Sequence, residues 1–325
     1  MNRQFLCVLI IGAALLAVIL IGLSIGPVRI SLLEMSATDK EIMFGLRLPR
    51  VLSAFLVGGG LALAGAIFQG LFRNPIADSY LLGVSSGASL GAAAAIVLKL
   101  TSPLANFAAV SFFAFVGSLG ALALVFYFGR RNGEFSIFRL LLSGLGVGLF
   151  LSSLVAIFML MAGEELKALI FFFLGGFSSS SWDTTWISIT CIPLAVLIAC
   201  YFASELNVLL LGEETAESSG VRTGRIQLLY AILAALLTSI SVSVAGLIGF
   251  VGLIVPHMIR LIFGADHRTI FPLTFFSGGI FLILCDAAAR TIIAPAELPV
   301  GIVTSLVGVP IFLYLIRSET GDYGL

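Results

Sequence analysis

The 325-residue chain is short of charge: Asp, Glu, Lys and Arg make up only 10% of it, against roughly a quarter in an ordinary soluble domain. With 60% hydrophobic residues and a mean hydropathy of +1.17, a water-soluble globule is excluded. Seventeen basic residues balance 17 acidic ones, so no net field points to nucleic acid or to an acidic substrate. Two histidines offer little for metal or acid–base chemistry. The four cysteines, Cys7, Cys191, Cys200 and Cys285, lie in apolar runs without C-x-x-C spacing and read as small core hydrophobes. No Gly-Lys pair occurs anywhere, which removes the phosphate-cradling loop, and H-E-x-x-H, G-x-S-x-G and G-x-G-x-x-G are missing too. A membrane enzyme is therefore disfavoured, and no metal or resident cofactor is expected.

What the chain has is long apolar runs. Thirty-five Gly and 27 Phe suit packed membrane helices, where small residues let backbones approach and bulky ones meet lipid; the runs lack the period of two that barrel strands need. A helix crosses the hydrocarbon with about 20 apolar residues. Cut at its charges, the chain yields Phe5 to Ile25, Val51 to Phe72, Ser79 to Leu98, Leu104 to Phe128, Leu140 to Gly163 and Thr184 to Ser204 as clean spans. The first resembles a signal peptide, but its 21 uncharged residues exceed a signal core of roughly 7 to 15, so it reads as retained. The uncharged run Ile226 to Ile259 holds 34 residues, roughly 51 Å as one helix, too long for one crossing. Gly246, Gly249, Gly252 and Pro256 are expected to break it into a span ending near Ala245 and a shorter one from about Gly252 to Phe263. Thr269 to Arg290 and Leu298 to Ile316 complete ten. Ala168 to Trp182 is too short to cross and reads as a half-helix or re-entrant piece.

Ten crossings put both termini on one side. The loops sharing that side carry ten Lys and Arg, against seven on the other, namely Arg29, Lys40, Arg47, Arg50, Lys99, Lys167 and Arg290, a bias that places both termini in the cytoplasm. Ion-coupled carriers keep carboxylates or other polar groups at mid-membrane, and here Asp286 is the one candidate. Arg290 at i+4 can pair with it. A transporter lacking both a coupling site and a nucleotide loop must take its energy from another subunit; the alternative is an ion-coupled secondary carrier of a small solute acting through Asp286.

Four stretches are too particular for generic membrane sequence: Arg47-Leu-Pro-Arg50; Gly65-Ala-Ile-Phe-Gln-Gly-Leu-Phe-Arg-Asn-Pro-Ile-Ala-Asp78 with Leu82-Gly-Val-Ser-Ser-Gly-Ala-Ser-Leu-Gly91; Gly249-Phe-Val-Gly-Leu-Ile-Val-Pro-His-Met-Ile-Arg260 with Gly264-Ala-Asp-His-Arg268; and Asp286-Ala-Ala-Ala-Arg290 with Glu297-Leu-Pro-Val-Gly-Ile-Val-Thr304 and Gly308-Val-Pro-Ile-Phe312. Together they closely resemble the FecCD-type permeases, membrane subunits of bacterial ABC importers for ferric siderophores, haem and vitamin B12. The match runs from about Arg47 to Ile316. It implies an all-α, vitamin B12 permease-like fold of about ten transmembrane helices with short broken ones, a single permease domain over 1–325, and a place in the bacterial inner membrane. Its implied partners are a second copy of the chain, two cytoplasmic ABC ATPase subunits, a periplasmic or lipoprotein binding protein, and membrane lipid; no nucleic acid is among them. Ferric siderophore is the expected cargo, with haem or cobalamin as alternatives.

The residues carry expectations of their own. Arg47 and Arg50 flank Leu-Pro at the outer end of the second span and Arg290 ends the ninth, so their charges can converge. The resemblance assigns them to docking the binding protein's glutamates; the plainer reading is anchoring, with Asp286 or Glu297 as partner. Pro75 stops the second span and Asn74 suits the turn before it. The resemblance makes Asn74 and Ile76, with Ser136, Leu141 and Leu142 from the segment Ser136 to Leu142, the cytoplasmic gate. Within the polar loop of about 205–225, Gly212-Glu213-Glu214-Thr215-Ala216-Glu217 to Gly220 reads as a short helix stopped by glycine. It resembles the coupling helices that ABC importers lay into their ATPases, with Ala216 and Gly220 small enough for close contact. Pro256, His257 and Arg260 with Asp266 read as structural, Arg260 and Asp266 neutralising each other. Gln69, among small residues, needs a partner for its amide.

Overall fold

Backbone that meets no water must bond within its own segment, so the apolar runs fold as helices. The computed structural model describes residues 3–26, 36–78, 80, 82–100, 106–131, 134–135 and 137–318; Arg29 and Ser136 lie outside them. In chain order the helices are α1 (Arg3–Ser24), α2 (Ala37–Glu41), α3 (Leu48–Leu71), α4 (Val84–Val97), α5 (Asn106–Gly129), α6 (Ile137–Met161), α7 (Leu166–Leu174), α8 (Trp182–Tyr201), α9 (Ala203–Leu210), α10 (Glu213–Ser218), α11 (Thr223–Ala245), α12 (Val251–Phe263), α13 (His267–Thr291) and α14 (Val300–Ser318). A small antiparallel hairpin, β1 (Arg130–Arg131) and β2 (Glu134–Phe135), joins α5 to α6. Among the described residues six helices are long and apolar enough to cross a membrane and four are shorter apolar ones, together the ten expected segments.

α3 is the central column. Nearly all its residues are buried, and α13, α11, α12 and α8 surround it. Close approach explains the glycines: a Cβ at Gly58 would overlap the Gly278 carbonyl of α13, and one at Gly65 the Gly252 carbonyl of α12. The second span begins earlier than expected. Residues 42–47 form a π-helical turn that runs α2 into α3, making an apolar helical stretch from Ala37 to Leu71. Pro49 lies behind this: lacking an N–H, it cannot close a regular turn, and the ladder widens so that the Leu48 N–H reaches the Met43 carbonyl. Trp182 Nε1 donates to the neighbouring Phe44 carbonyl at 2.9 Å, docking the start of α8 there.

α4 is shorter than the expected Ser79 to Leu98 span. Its helix starts only at Val84, after Gly83 in the left-handed region (φ 67°), and its 14 residues rise roughly 21 Å. Gly87 and Gly91 face the α5 backbone at Gly117 and Phe113 so tightly that a Cβ on either would overlap a carbonyl, the small-residue packing of membrane helices.

Irregular backbone is gathered in one place. α11 ends at Ala245 and α12 starts at Val251, as the glycine spacing predicts, although Gly252 and Pro256 lie inside α12 rather than breaking it. The Gly176 N–H bonds the Ala245 carbonyl (2.8 Å), the Val300 N–H the Gly175 carbonyl (2.9 Å), and the Leu247 N–H the Phe172 carbonyl (3.3 Å). The ends of α7, α11 and α14 thus satisfy one another. Tyr80 adds a cross-brace, its hydroxyl donating to the Ile248 carbonyl at 2.7 Å and accepting from the Ile248 N–H at 2.9 Å.

Gly65→Val should destabilise the protein by about 1–3 kcal/mol through overpacking, read as a lower melting temperature in detergent. Gly12→Ala, whose Cβ meets nothing within 4 Å, should melt with the wild type. Equal melting of both variants would refute the close α3–α12 contact.

Candidate functional site

Three arginines and two acids converge where α3 begins and α13 ends. Arg50 clamps two carboxylates: Nε and Nη2 donate to Asp286 Oδ1 at 3.0 and 2.9 Å, and Nη1 and Nη2 donate to Glu297 at 3.1 and 2.9 Å. Arg290 closes the other side of Asp286, Nη2 to Oδ2 at 3.1 Å. Its remaining donors reach the end of α1, Nη1 to the Ile25 carbonyl (2.7 Å) and Nη2 to that of Gly22 (3.2 Å). Arg47 Nη1 takes the Leu23 and Ser24 carbonyls at 2.7 and 3.1 Å. The four carbonyls a helix C-terminus leaves unpaired are all satisfied by arginine, the sign of charge that the helix dipole favours there.

This geometry qualifies the docking expectation. Arg47 is 5% exposed, Arg290 3% and Asp286 0%, so Arg47 and Arg290 spend their donors inside the chain; only the edge of Arg50 and Glu297, with side chains 12% and 30% exposed, reach the surface. Beside them a cavity of about 850 Å³ opens, lined by Arg50, Glu297, Lys99, Glu165 and apolar walls that include Phe171 and Phe172.

At the opposite ends of α3 and α13 lies the loop singled out as a gate. Arg73 adopts the left-handed conformation (φ 49°), and the bonds Arg73 N–H to Gly70 O (3.2 Å) and Asn74 N–H to Gln69 O (3.1 Å) form a Schellman cap. Asn74 Oδ1 accepts from the Ile76 N–H at 3.1 Å, which fixes the turn. Ile76 is 54% and Leu142 60% exposed, and Leu141 is half-buried. Leu142 belongs to an exposed apolar stripe on α6 with Phe138, Leu145, Leu149, Ile157 and Leu160, spaced three, four or eight apart. Gln69 is fully buried and compensates for Pro256, which has no N–H for the Gly252 carbonyl: Nε2 donates to Gly252 O (3.4 Å) and Leu253 O (3.1 Å).

The polar loop contains the expected short helix, α10, set off by Gly212 (φ 118°) and Gly220 (φ 83°). Its faces differ from the expectation. Ala216 is 0% exposed and packs inward, because its carbonyl accepts the Val221 N–H (2.9 Å) and its methyl joins the core. Glu214, Glu217 and Gly220 face outward; Glu217 also accepts from Thr223 at 3.0 Å, and the Glu213 side chain lies outside the described ones.

A second correction concerns Arg260. Among the described residues no ion pair joins it to Asp266. Asp266 Oδ1 instead caps α13, accepting from the Arg268 N–H (3.0 Å) and from Asn207 Nδ2 (2.6 Å): at a helix start a carboxylate is held by backbone donors. Arg260 Nε and Nη2 are buried without a hydrogen-bond partner among the described residues, and His257, one turn before the helix end, is half-buried. Asn207, Arg73, Trp182 and Tyr80 carry structural links that sequence reasoning missed; the Asn74-Pro75 stop that follows Arg73 was the only advance signal for any of them.

Residues 14–318 match the FecCD transport family. The chain belongs to that family. Among curated relatives of this FecCD permease, the cobalamin import system permease protein BtuC of Halobacterium salinarum is 40% identical over 282 residues, covering 87% of this chain and 75% of the relative. The hemin transport system permease protein HmuU of Yersinia pestis is 39% identical over 281 residues, covering 86% and 84%. A solved metal-chelate type ABC transporter in an inward-facing conformation superposes with a TM-score of 0.87 at 31% identity, covering 95% of this chain and 97% of that one. The FecCD permease described here is thus an ABC transporter permease, with the all-helical fold expected.

Asp286→Asn should cost about 3–5 kcal/mol, because Arg290 then keeps a buried charge without a counter-ion and Arg50 keeps only the partly exposed Glu297. Thermal unfolding in detergent reads this out, and wild-type melting would show that the cluster is not dry.

Proposed function

We propose that the chain is the membrane subunit of an ATP-driven importer that moves a metal chelate, ferric siderophore first and haem or cobalamin next, by alternating access between two copies of itself. One observation carries the choice over an ion-coupled carrier: Asp286, the one buried acid among the described residues, is held between Arg50 and Arg290. Both oxygens of that carboxylate are taken by guanidinium donors, which leaves no open position for a coupling cation and favours an energy source outside the chain. Two cytoplasmic ATPase subunits supply it, docked on the outward residues of α10, Glu214, Glu217 and Gly220, with Gly212 and Glu213 leading into the contact. The exposed α6 stripe meets its counterpart along the two-fold axis, an apolar path suited to bulky chelates. Names of the relatives support this cargo class, which comes from cobalamin and hemin permeases.

In this reading both termini are cytoplasmic and the arginine cluster faces outward in the bacterial inner membrane. The binding protein, periplasmic or lipid-anchored, rests on the surface framed by Arg50 and Glu297, while Arg47 and Arg290 hold that surface from behind. Asn74 and Ile76, with Leu141 and Leu142, close the inner end; Ser136 stands in the same segment of the chain. No resident cofactor is involved, and 1–325 acts as one permease domain.

Reconstituted alone, the chain should give no uphill uptake of radiolabelled ferric siderophore, haemin or cobalamin under a pH gradient, whereas the complex with ATPase and binding protein should take up one of them only with ATP. Uphill uptake by the isolated chain would refute the importer reading. Asn74→Ala combined with Ile76→Ala should raise leak of a small fluorescent solute from liposomes holding the complex, and a leak equal to wild type would remove the gate from these residues.

A further inference from the structure

α9 lies between the docking helix and the gate loop and touches both. Its apolar face is buried through Ala203, Leu206 and Leu209, and Leu206 packs where α3 carries Gly70: a Cβ at Gly70 would lie 3.4 Å from Leu206 Cδ2 and 2.7 Å from His267 Nε2. Its polar face is fastened to α13. Asn207 Nδ2 donates to Asp266 at 2.6 Å, and Asn207 Oδ1 accepts from the His267 N–H at 2.9 Å and lies 2.7 Å from His267 Nδ1. The end of α9 is fastened to α3, Arg73 Nη2 donating to the Leu209 carbonyl at 2.6 Å. Three residues later, after Gly212, α10 begins.

Arg73 makes this contact from a conformation that suits glycine. It occupies the left-handed position of the Schellman cap, where a side chain adds strain and glycine adds none. Strain of this kind persists only where the surrounding structure over-determines it, and here the side chain spans from the gate turn to α9. Asn74, whose amide fixes the turn at Ile76, is the very next residue.

We infer that α9 is a strut, and that Arg73 and Asn207 are positioning residues through which displacement of α10 reaches Asn74 and Ile76. The inference rests on the proposed roles of α10 in ATPase docking and of Asn74 and Ile76 in gating. A short charge-assisted bond at one end, a doubly bonded amide at the other and a buried face between them leave the helix no independent freedom, so α10 cannot shift without carrying the gate turn along.

The test uses the full complex of permease, ATPase and binding protein, with the four native cysteines replaced by alanine and Ile76→Cys spin-labelled in both copies. Label-to-label distances are measured by pulsed electron paramagnetic resonance, with and without ATP and vanadate. Arg73→Gly removes the strained side chain and keeps the turn; it should leave assembly and ATP hydrolysis near wild type while cutting the nucleotide-driven distance change by about half or more. Asn207→Ala, which cuts the other attachment without touching the turn, should do the same and serves alone if Arg73→Gly does not assemble. A full wild-type distance change in both variants overturns the strut. No nucleotide-driven change in the unsubstituted complex overturns the gate and docking roles themselves, and the strut with them.

Discussion

A carboxylate sealed from water inside a membrane protein must find cations, and Asp286 finds two. Arg50 and Arg290 meet it from α3 and from its own helix α13, and the donors left over reach Glu297 and, with Arg47, the carbonyls ending α1. Three positive charges thus answer two carboxylates and one helix terminus, and none of the five side chains can leave without stranding a donor or acceptor of another group. The cluster fixes how α1, α3 and α13 meet, and from there α3 and α13 run together through the molecule to the loop after Leu71 and the start of α13. It also leaves neither Asp286 oxygen open, so the same contact that holds the fold is the observation behind the proposed ATP-driven reading.

The rest of the chain solves the complementary problem of letting something move in a dry medium. Irregular backbone is confined to where α7, α11 and α14 end against one another and exchange their free N–H and carbonyl groups. Missing donors at prolines are made good by side chains from other helices, Trp182 reaching the carbonyl left near Pro49 and Gln69 the one left by Pro256. Each repair joins two helices at a point where neither is regular. The molecule therefore has stiff columns with a few defined discontinuities.

Much of this was legible beforehand. Ten apolar segments, the break after Ala245, a piece near Gly175 too short to cross and the short acidic helix all followed from run length and glycine placement, because hydrocarbon thickness and backbone freedom are local constraints. The convergence of Arg50 and Arg290 on Asp286 followed from span ends and i+4 spacing. Other features were hidden. The helical stretch from Ala37 to Arg47 looked like a loop because its charges interrupt the hydropathy. α9 looked like part of a polar linker, although Leu206 and Leu209 are buried. Arg260 and Asp266 looked like a pair because they are six residues apart and opposite in charge, yet Asn207, some 60 positions away, is the closer partner.

By itself the sequence determined that this chain spans a membrane about ten times, carries no fuel-handling loop of its own and belongs with chelate importers, since composition, run length and motif wording depend only on neighbours along the chain. Only the tertiary structure decided which polar groups are consumed internally and which face outward: Ala216 turns in while Glu214 turns out, and Arg47 caps a helix instead of lining the surface. Those outcomes depend on helices that meet across many residues of intervening chain, where each donor takes whichever acceptor the packing brings within about 3 Å.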